Sequence, residues 1–134
     1  MKTVYELDGL NFSTLEAFYD EISRVLIPGA RWGHNLDALN DILYGGFGTP
    51  GGGFILRWKN SDVSRSRLGY PETVRQLRLR LRWCHPDNRS WVKVDLQNAR
   101  NNTGPTVFDW LVEIIRMHGP GGREEASGVE LVLE

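Results

Sequence analysis

The sequence predicts an α/β fold in which a small parallel sheet is packed by helices. Three short apolar segments have the length and residue types of strands: Val4-Tyr5-Glu6-Leu7, Phe54-Ile55-Leu56-Arg57-Trp58 and Val129-Glu130-Leu131-Val132-Leu133. Stretches with apolar residues at helical spacing separate them. Strands joined through helices need crossovers, the connectivity of a parallel sheet. At 134 residues the chain is the length of one domain, 1–134, and shows no internal repeat.

The first strand ends in an Asp8-Gly9 turn. Ser13-Thr14-Leu15-Glu16 has the spacing of a capping box, with the Ser13 hydroxyl as cap and Glu16 reaching back. Leu15, Phe18, Tyr19, Ile22, Val25 and Leu26 then follow a helical period over 14–26, which Pro28-Gly29 ends. A second helix spans 35–44 on the stripe Leu36, Leu39 and Leu43, and Gly45-Gly46 stops it. Phe54-Ile55-Leu56 is a continuous apolar start that suits a strand buried on both faces. The last helix spans 106–118, with Val107, Trp110, Leu111, Ile114 and Ile115 inward. Gly119-Pro120-Gly121-Gly122 ends it.

Residues 71–103 allow two readings. Leu77 to Arg82 and Trp91 to Leu96 alternate, as in a hairpin with His85-Pro86-Asp87-Asn88 at its tip. Pro71-Glu72 is a good helix start, however. Val74, Leu77, Leu81 and Cys84 keep helical spacing, and so do Val92, Leu96 and Ala99. Pro86 would end the first helix and Asn88 could cap the second. Two helices are favoured.

Net charge is −1, but it is unevenly spread. Residues 71–103 hold seven bases and three acids; the rest holds nine bases and fourteen acids. An acidic body attracts a basic partner and repels nucleic acid. No apolar run reaches the roughly 20 residues of a membrane helix, and Met1-Lys2-Thr3-Val4-Tyr5-Glu6 lacks a signal core. The lone Cys84 makes no intrachain disulfide and no zinc site. These features place the protein in the cytoplasm, with no membrane, metal or cofactor expected.

The informative stretch is Arg31-Trp32-Gly33-His34-Asn35-Leu36-Asp37-Ala38-Leu39-Asn40-Asp41. Asp37 and Asp41 stand four apart and so share a helical face. Asn40 and Tyr44 lie beside them, and the leucine stripe faces the core. An exposed acidic ridge results, approached by a loop bearing Arg31, Trp32 and His34.

This pattern resembles the barstar family. Gly33-x-Asn35-Leu36-Asp37-Ala38-Leu39-x-Asp41 is the most specific segment, within a resemblance that runs from Tyr5 to Phe47. Phe54 to Trp58 is similar to the family's second strand, and Phe108 to Leu133 to its closing helix and strand. The resemblance implies a three-stranded parallel sheet packed against helices, with 71–103 an extra, helical insertion before the last helix. It implies inhibition of a barnase-type ribonuclease, a basic extracellular-type enzyme, through the second helix and its preceding loop. By that resemblance Asp41 is the carboxylate that enters the phosphate-binding site, and Asp37 its supporting acid. Gly45 falls at a contact glycine, and Glu113 matches an acid on the last helix that faces the enzyme. Asn40 stands where the family has a tryptophan, Arg31 where an aromatic is usual, and Gly46 replaces another aromatic. The expected partner surface is therefore Arg31, Trp32, His34, Asp37, Asn40, Asp41, Tyr44, Gly45 and Glu113, with Trp32 the apolar anchor. The free protein is expected to be a monomer.

Three other readings compete with this one. Arg75, Arg78, Arg80 and Arg82 could follow a phosphate backbone, although solvated arginines, or arginines paired with the acidic body, explain them more simply. Nucleic acid is therefore not an expected partner. His34 near Asp37 or Asp41 could suggest acid–base work, but the chain has no phosphate loop, nucleophile elbow or metal spacing, so it is not read as an enzyme. His118 suits a helix C-terminus, where a cation meets the dipole. The remaining alternative is a barstar-fold module with a partner other than a ribonuclease, since a fold does not fix a function.

Overall fold

The computed structural model describes residues 2–134. Three parallel strands, β1 (Val4–Asp8), β2 (Phe54–Lys59) and β3 (Val129–Leu133), lie in the order β1–β2–β3. Val4 lies opposite Ile55, and Phe54 opposite Val129. The α/β parallel sheet read from the strand spacing is therefore present.

The sheet is buried on one face only, which corrects the two-faced reading of β2. Phe54, Leu56 and Trp58 point into the core, whereas Ile55 is half-buried and Arg57 and Lys59 are exposed. Parallel sheets usually have both faces covered. Here Lys59–Glu6 (3.6 Å), Arg57–Glu134 (3.3 Å) and Lys2–Glu130 (3.6 Å) lace the open face instead. The alternation of apolar and charged residues was legible from Leu56 onward; Ile55 alone disguised it.

All the long helices serve the covered face or its flank. Helix α1 (Leu15–Leu26) buries Leu15, Phe18, Tyr19, Ile22 and Leu26, one stripe at the helical period. Its cap is Thr14, whose Oγ1 accepts from the N–H of Ala17 at 3.1 Å. The expected Ser13 capping box is not formed, because Glu16 is drawn away by Arg75 and Gln76. Helix α2 (Leu36–Tyr44) buries Leu39, Ile42 and Leu43. Helix α3 (Ser61–Arg67) follows β2 directly and was not foreseen. Helix α6 (Val107–Met117) has a complete capping box between Thr106 and Asp109. It buries Val107, Phe108, Leu111 and Ile115 and leaves Trp110 and Ile114 half-buried.

Residues 71–103 form helices, as favoured: α4 (Tyr70–Trp83) and α5 (Arg89–Arg100). Asn88 precedes α5 without a side-chain cap bond, contrary to expectation. The pair has a small core of its own, Leu77, Val92, Leu96 and Ala99. Glu72 ties it to the body. This buried carboxylate accepts from the Leu15 N–H (2.9 Å), from Arg75 Nε (2.6 Å) and from Gln76 Nε2 (3.0 Å). Glu72→Ala leaves the Leu15 N–H orphaned and should cost about 1.5–3 kcal/mol, the range for hydrogen bonds to a charged group. Chemical denaturation should show this, with Glu72→Gln losing less because its carbonyl oxygen still accepts.

Backbone approach is closest where β2 and β3 begin. Gly53 has φ +97°, and a Cβ there would strike the Gly128 carbonyl. Only glycine satisfies both constraints at this point.

Candidate functional site

Helix α2 begins with a complete local cap. Asn35 Oδ1 accepts from the Ala38 N–H at 2.8 Å, and its Nδ2 donates to the Gly33 carbonyl at 3.2 Å. Asp37 lies in the first turn, where the dipole favours an anion. Asp41 follows one turn later. Both are exposed, and among the described residues neither forms an ion pair or a side-chain hydrogen bond. Leu39, Ile42 and Leu43 hold the helix from the other side.

The two carboxylates line one depression of about 860 Å³. Its other walls come from α1 (Leu15, Glu16 and Tyr19), from the loop residue His34, and from α4 (Gln76 and Arg80). Glu16 is thus a third acid at the rim. Although burial opposes it, hydrogen bonds from Gln76 and Arg75 hold its carboxyl below the usual range. Tyr19 stays protonated, its phenol pushed up by burial and by Glu16. The α1 and α4 walls were missed from the sequence because they belong to segments far from α2. The only signal was the four-residue spacing of Glu72, Gln76 and Arg80 along α4.

The loop before α2 is pinned rather than free. Trp32 is half-buried, donates its indole N–H to Ser23 Oγ at 2.6 Å, and meets Tyr19 edge-on at 5.5 Å between ring centroids. The His34 ring lies beside it, tilted by 46° at 4.5 Å, and His34 has φ +46°, an uncommon conformation for a residue with a Cβ. Arg31 is exposed.

Asn40 departs from the exposed ridge that the spacing suggested. It is half-buried, and its Oδ1 accepts from His118 Nε2 at 2.7 Å. His118 is not a solvent-facing partner for the helix dipole. It is fully buried, with Nδ1 3.0 Å from Ser127 Oγ and its ring edge-on to Tyr44 at 4.7 Å. Tyr44 remains half-exposed, and its phenol is raised mainly by a hydrogen bond to Glu124. Gly45 closes α2 with φ +107°, a conformation that favours glycine over any other residue at that position. Glu113 is exposed on α6 and lines a neighbouring depression that shares Leu36 and Arg80 with the first. The structure therefore brings His34, Asp37 and Asp41 together, sets Glu113 next door, and turns Asn40 inward.

Burial holds His118 below its ordinary value near 6.5, with Glu124 pulling weakly the other way. An unfolded chain takes up the proton near 6.5 and the folded chain only at lower pH. The neutral imidazole thus contributes stability that is complete above about pH 6.5 and is lost as the pH falls through the folded value. Urea midpoints should drop as the pH falls below about 6.5, and His118→Gln should flatten that slope.

Among the described residues no helix is long and apolar enough to cross a membrane. Comparison with curated proteins and with solved structures gives no match. A family model described as Barstar (barnase inhibitor) matches residues 2–94. The match takes in all three walls of the depression and ends within α5, so the expected likeness of the closing helix and strand lies outside it. With more than half of the chain matched, and the sheet, α2 and its carboxylate face arranged as described, the chain belongs to the barstar family of barnase inhibitors.

Proposed function

We propose that this protein inhibits a barnase-type ribonuclease in the cytoplasm by placing the acidic face of α2 in the enzyme's active site. The observation that supports this most directly is the pair Asp37 and Asp41, exposed, unpaired among the described residues, and lining one depression on a rigid capped helix. A ribonuclease must hold an anionic phosphate and stabilise added charge with cationic side chains. A carboxylate held in that position satisfies the same cations. Asp41 acts as the phosphate mimic and Asp37 assists, while His34 and Glu113 border the contact. Nothing is cleaved and no cofactor takes part. The separate apolar cluster of the α4–α5 pair supports reading it as an extension of the sheet-and-helix body, although the family match runs through α4 and ends within α5.

Titration of the protein into several basic barnase-type ribonucleases tests the proposal, with RNA cleavage as readout. Loss of cleavage at a 1:1 ratio, with an association rate that falls as salt rises, supports it. Full cleavage by every enzyme in the presence of excess protein overturns it.

A further inference from the structure

We infer that Trp83 is a contact point for the ribonuclease, an aromatic platform that α4 presents beside the carboxylates of α2. The inference rests on the inhibitor reading and extends the binding surface to a helix outside α2 and its loop.

Trp83 is 84% exposed. Exposure alone decides little, but the position of this side chain does. Glu72, Gln76, Arg80 and Trp83 fall at intervals of four, four and three, so they form one stripe along α4. Glu72 docks that stripe on the start of α1. Gln76 and Arg80 form a wall of the depression that holds Asp37 and Asp41. Trp83 is the next member, three residues and about 4.5 Å further along the axis at 1.5 Å per residue. The stripe therefore carries the acidic surface onward into an indole.

Trp32, the anchor expected from the sequence, is already committed to Ser23 and Tyr19. The exposed tryptophan that continues the α4 wall of the depression is Trp83. Its neighbour in the stripe, Arg80, lies over the Trp110 ring at 5.1 Å, so its charge is turned toward α6. Arg78 projects from the opposite flank of the helix. A partner whose cations enter the depression has a basic rim around its cleft, and an arginine or lysine of that rim stacks on the Trp83 face. Trp91, 72% exposed, provides the contrast. It shares a flank of α5 with Asp95 and Asn98, which line a separate pocket against Trp110.

The test measures inhibition constants for wild type, Asp41→Ala, Trp83→Ala, Trp83→Phe and Trp91→Ala against a barnase-type ribonuclease. Trp83→Ala should weaken inhibition about tenfold to thirtyfold, the range of an aromatic contact residue. Trp83→Phe should retain most of the affinity. Trp91→Ala should change it less than about threefold, as most interface-neighbouring positions do. Thermal unfolding of Trp83→Ala should match wild type, since the side chain is outside the core. Wild-type inhibition by Trp83→Ala, together with a weakened Asp41→Ala, overturns this inference and leaves the inhibitor reading standing. Equal losses from Trp83→Ala and Trp91→Ala also overturn it, because the stripe would then decide nothing. Failure of wild type to inhibit at all removes both.

Discussion

Asp41→Ala will weaken inhibition of the ribonuclease by two to nearly four orders of magnitude while leaving the free protein as stable as before. The two halves of this result have different causes. In the complex, Asp41 is expected to be desolvated against the cations that hold RNA phosphate. Removing one partner of a buried, hydrogen-bonded charge pair costs roughly 3–5 kcal/mol, because the other charges remain buried and unpaired. In the free protein Asp41 is exposed and has no partner among the described residues. It also sits four residues from Asp37, a like charge at the spacing where repulsion destabilises a helix by roughly 0.2–0.5 kcal/mol. It lies beyond the first turn, where the dipole would help it. Alanine therefore leaves stability unchanged or raises it slightly. Inhibition kinetics and urea unfolding of the same preparation check both halves. A large loss of stability would mean that the carboxylate was structural. Asp37→Ala should lose less affinity, since Asp37 is proposed to assist rather than to enter the phosphate position.

Trp58→Ala will have the largest effect on folding. Trp58 is fully buried at the end of the central strand, with Phe12, Phe18 and Phe108 around it at centroid distances of 6.0, 5.6 and 5.1 Å. Its indole N–H donates to the buried Ser64 Oγ at 2.9 Å. Truncation empties the junction of sheet, α1 and α6, and costs about 3–5 kcal/mol. That is a large share of the roughly 5–15 kcal/mol available to a domain. Trp58→Phe should cost less, keeping most of the volume but leaving the Ser64 hydroxyl without its partner. Chemical denaturation separates the two variants. In a double variant the affinity loss of Asp41→Ala and the stability loss of Trp58→Ala should each keep its single-variant size, since one acts at the surface and the other at the core.

The sequence revealed those elements whose burial follows a period. The stripes of α1, α2 and α6 and the alternation of β3 were legible because each element packs one face against the sheet. The choice of helices over a hairpin for 71–103 turned on Pro71 and Pro86, which suit helix boundaries. Helix α3 was not legible, because it buries Ser64 and leaves Val63 half-covered, so no apolar stripe marks it. What holds it is a close approach: a Cβ on Gly9 would collide with Ser64 Oγ and the Asn60 carbonyl. The cap of α1 was displaced by one residue, because Glu16 answers to a helix nearly sixty positions away. In the candidate site the same division holds. Asp37 and Asp41 could be placed on one face from their spacing alone. The inward turn of Asn40, the pinning of Trp32 and the α4 wall depend on His118, Ser23 and Gln76, contacts that no local pattern encodes.

The pairing of the strands bears on how the chain reaches this state. Val4 meets Ile55 across 51 residues, and Phe54 meets Val129 across 75. No two strands are neighbours in the chain, so no hairpin can seed the sheet. Every ladder closes a long loop, whose entropy must be overcome before the pairing stabilises anything. Helical segments can shorten those loops first, since their bonds are local. The sheet is thus a late product of collapse, and changes that weaken α1 or α2 should slow refolding more than equal changes along the outer strands.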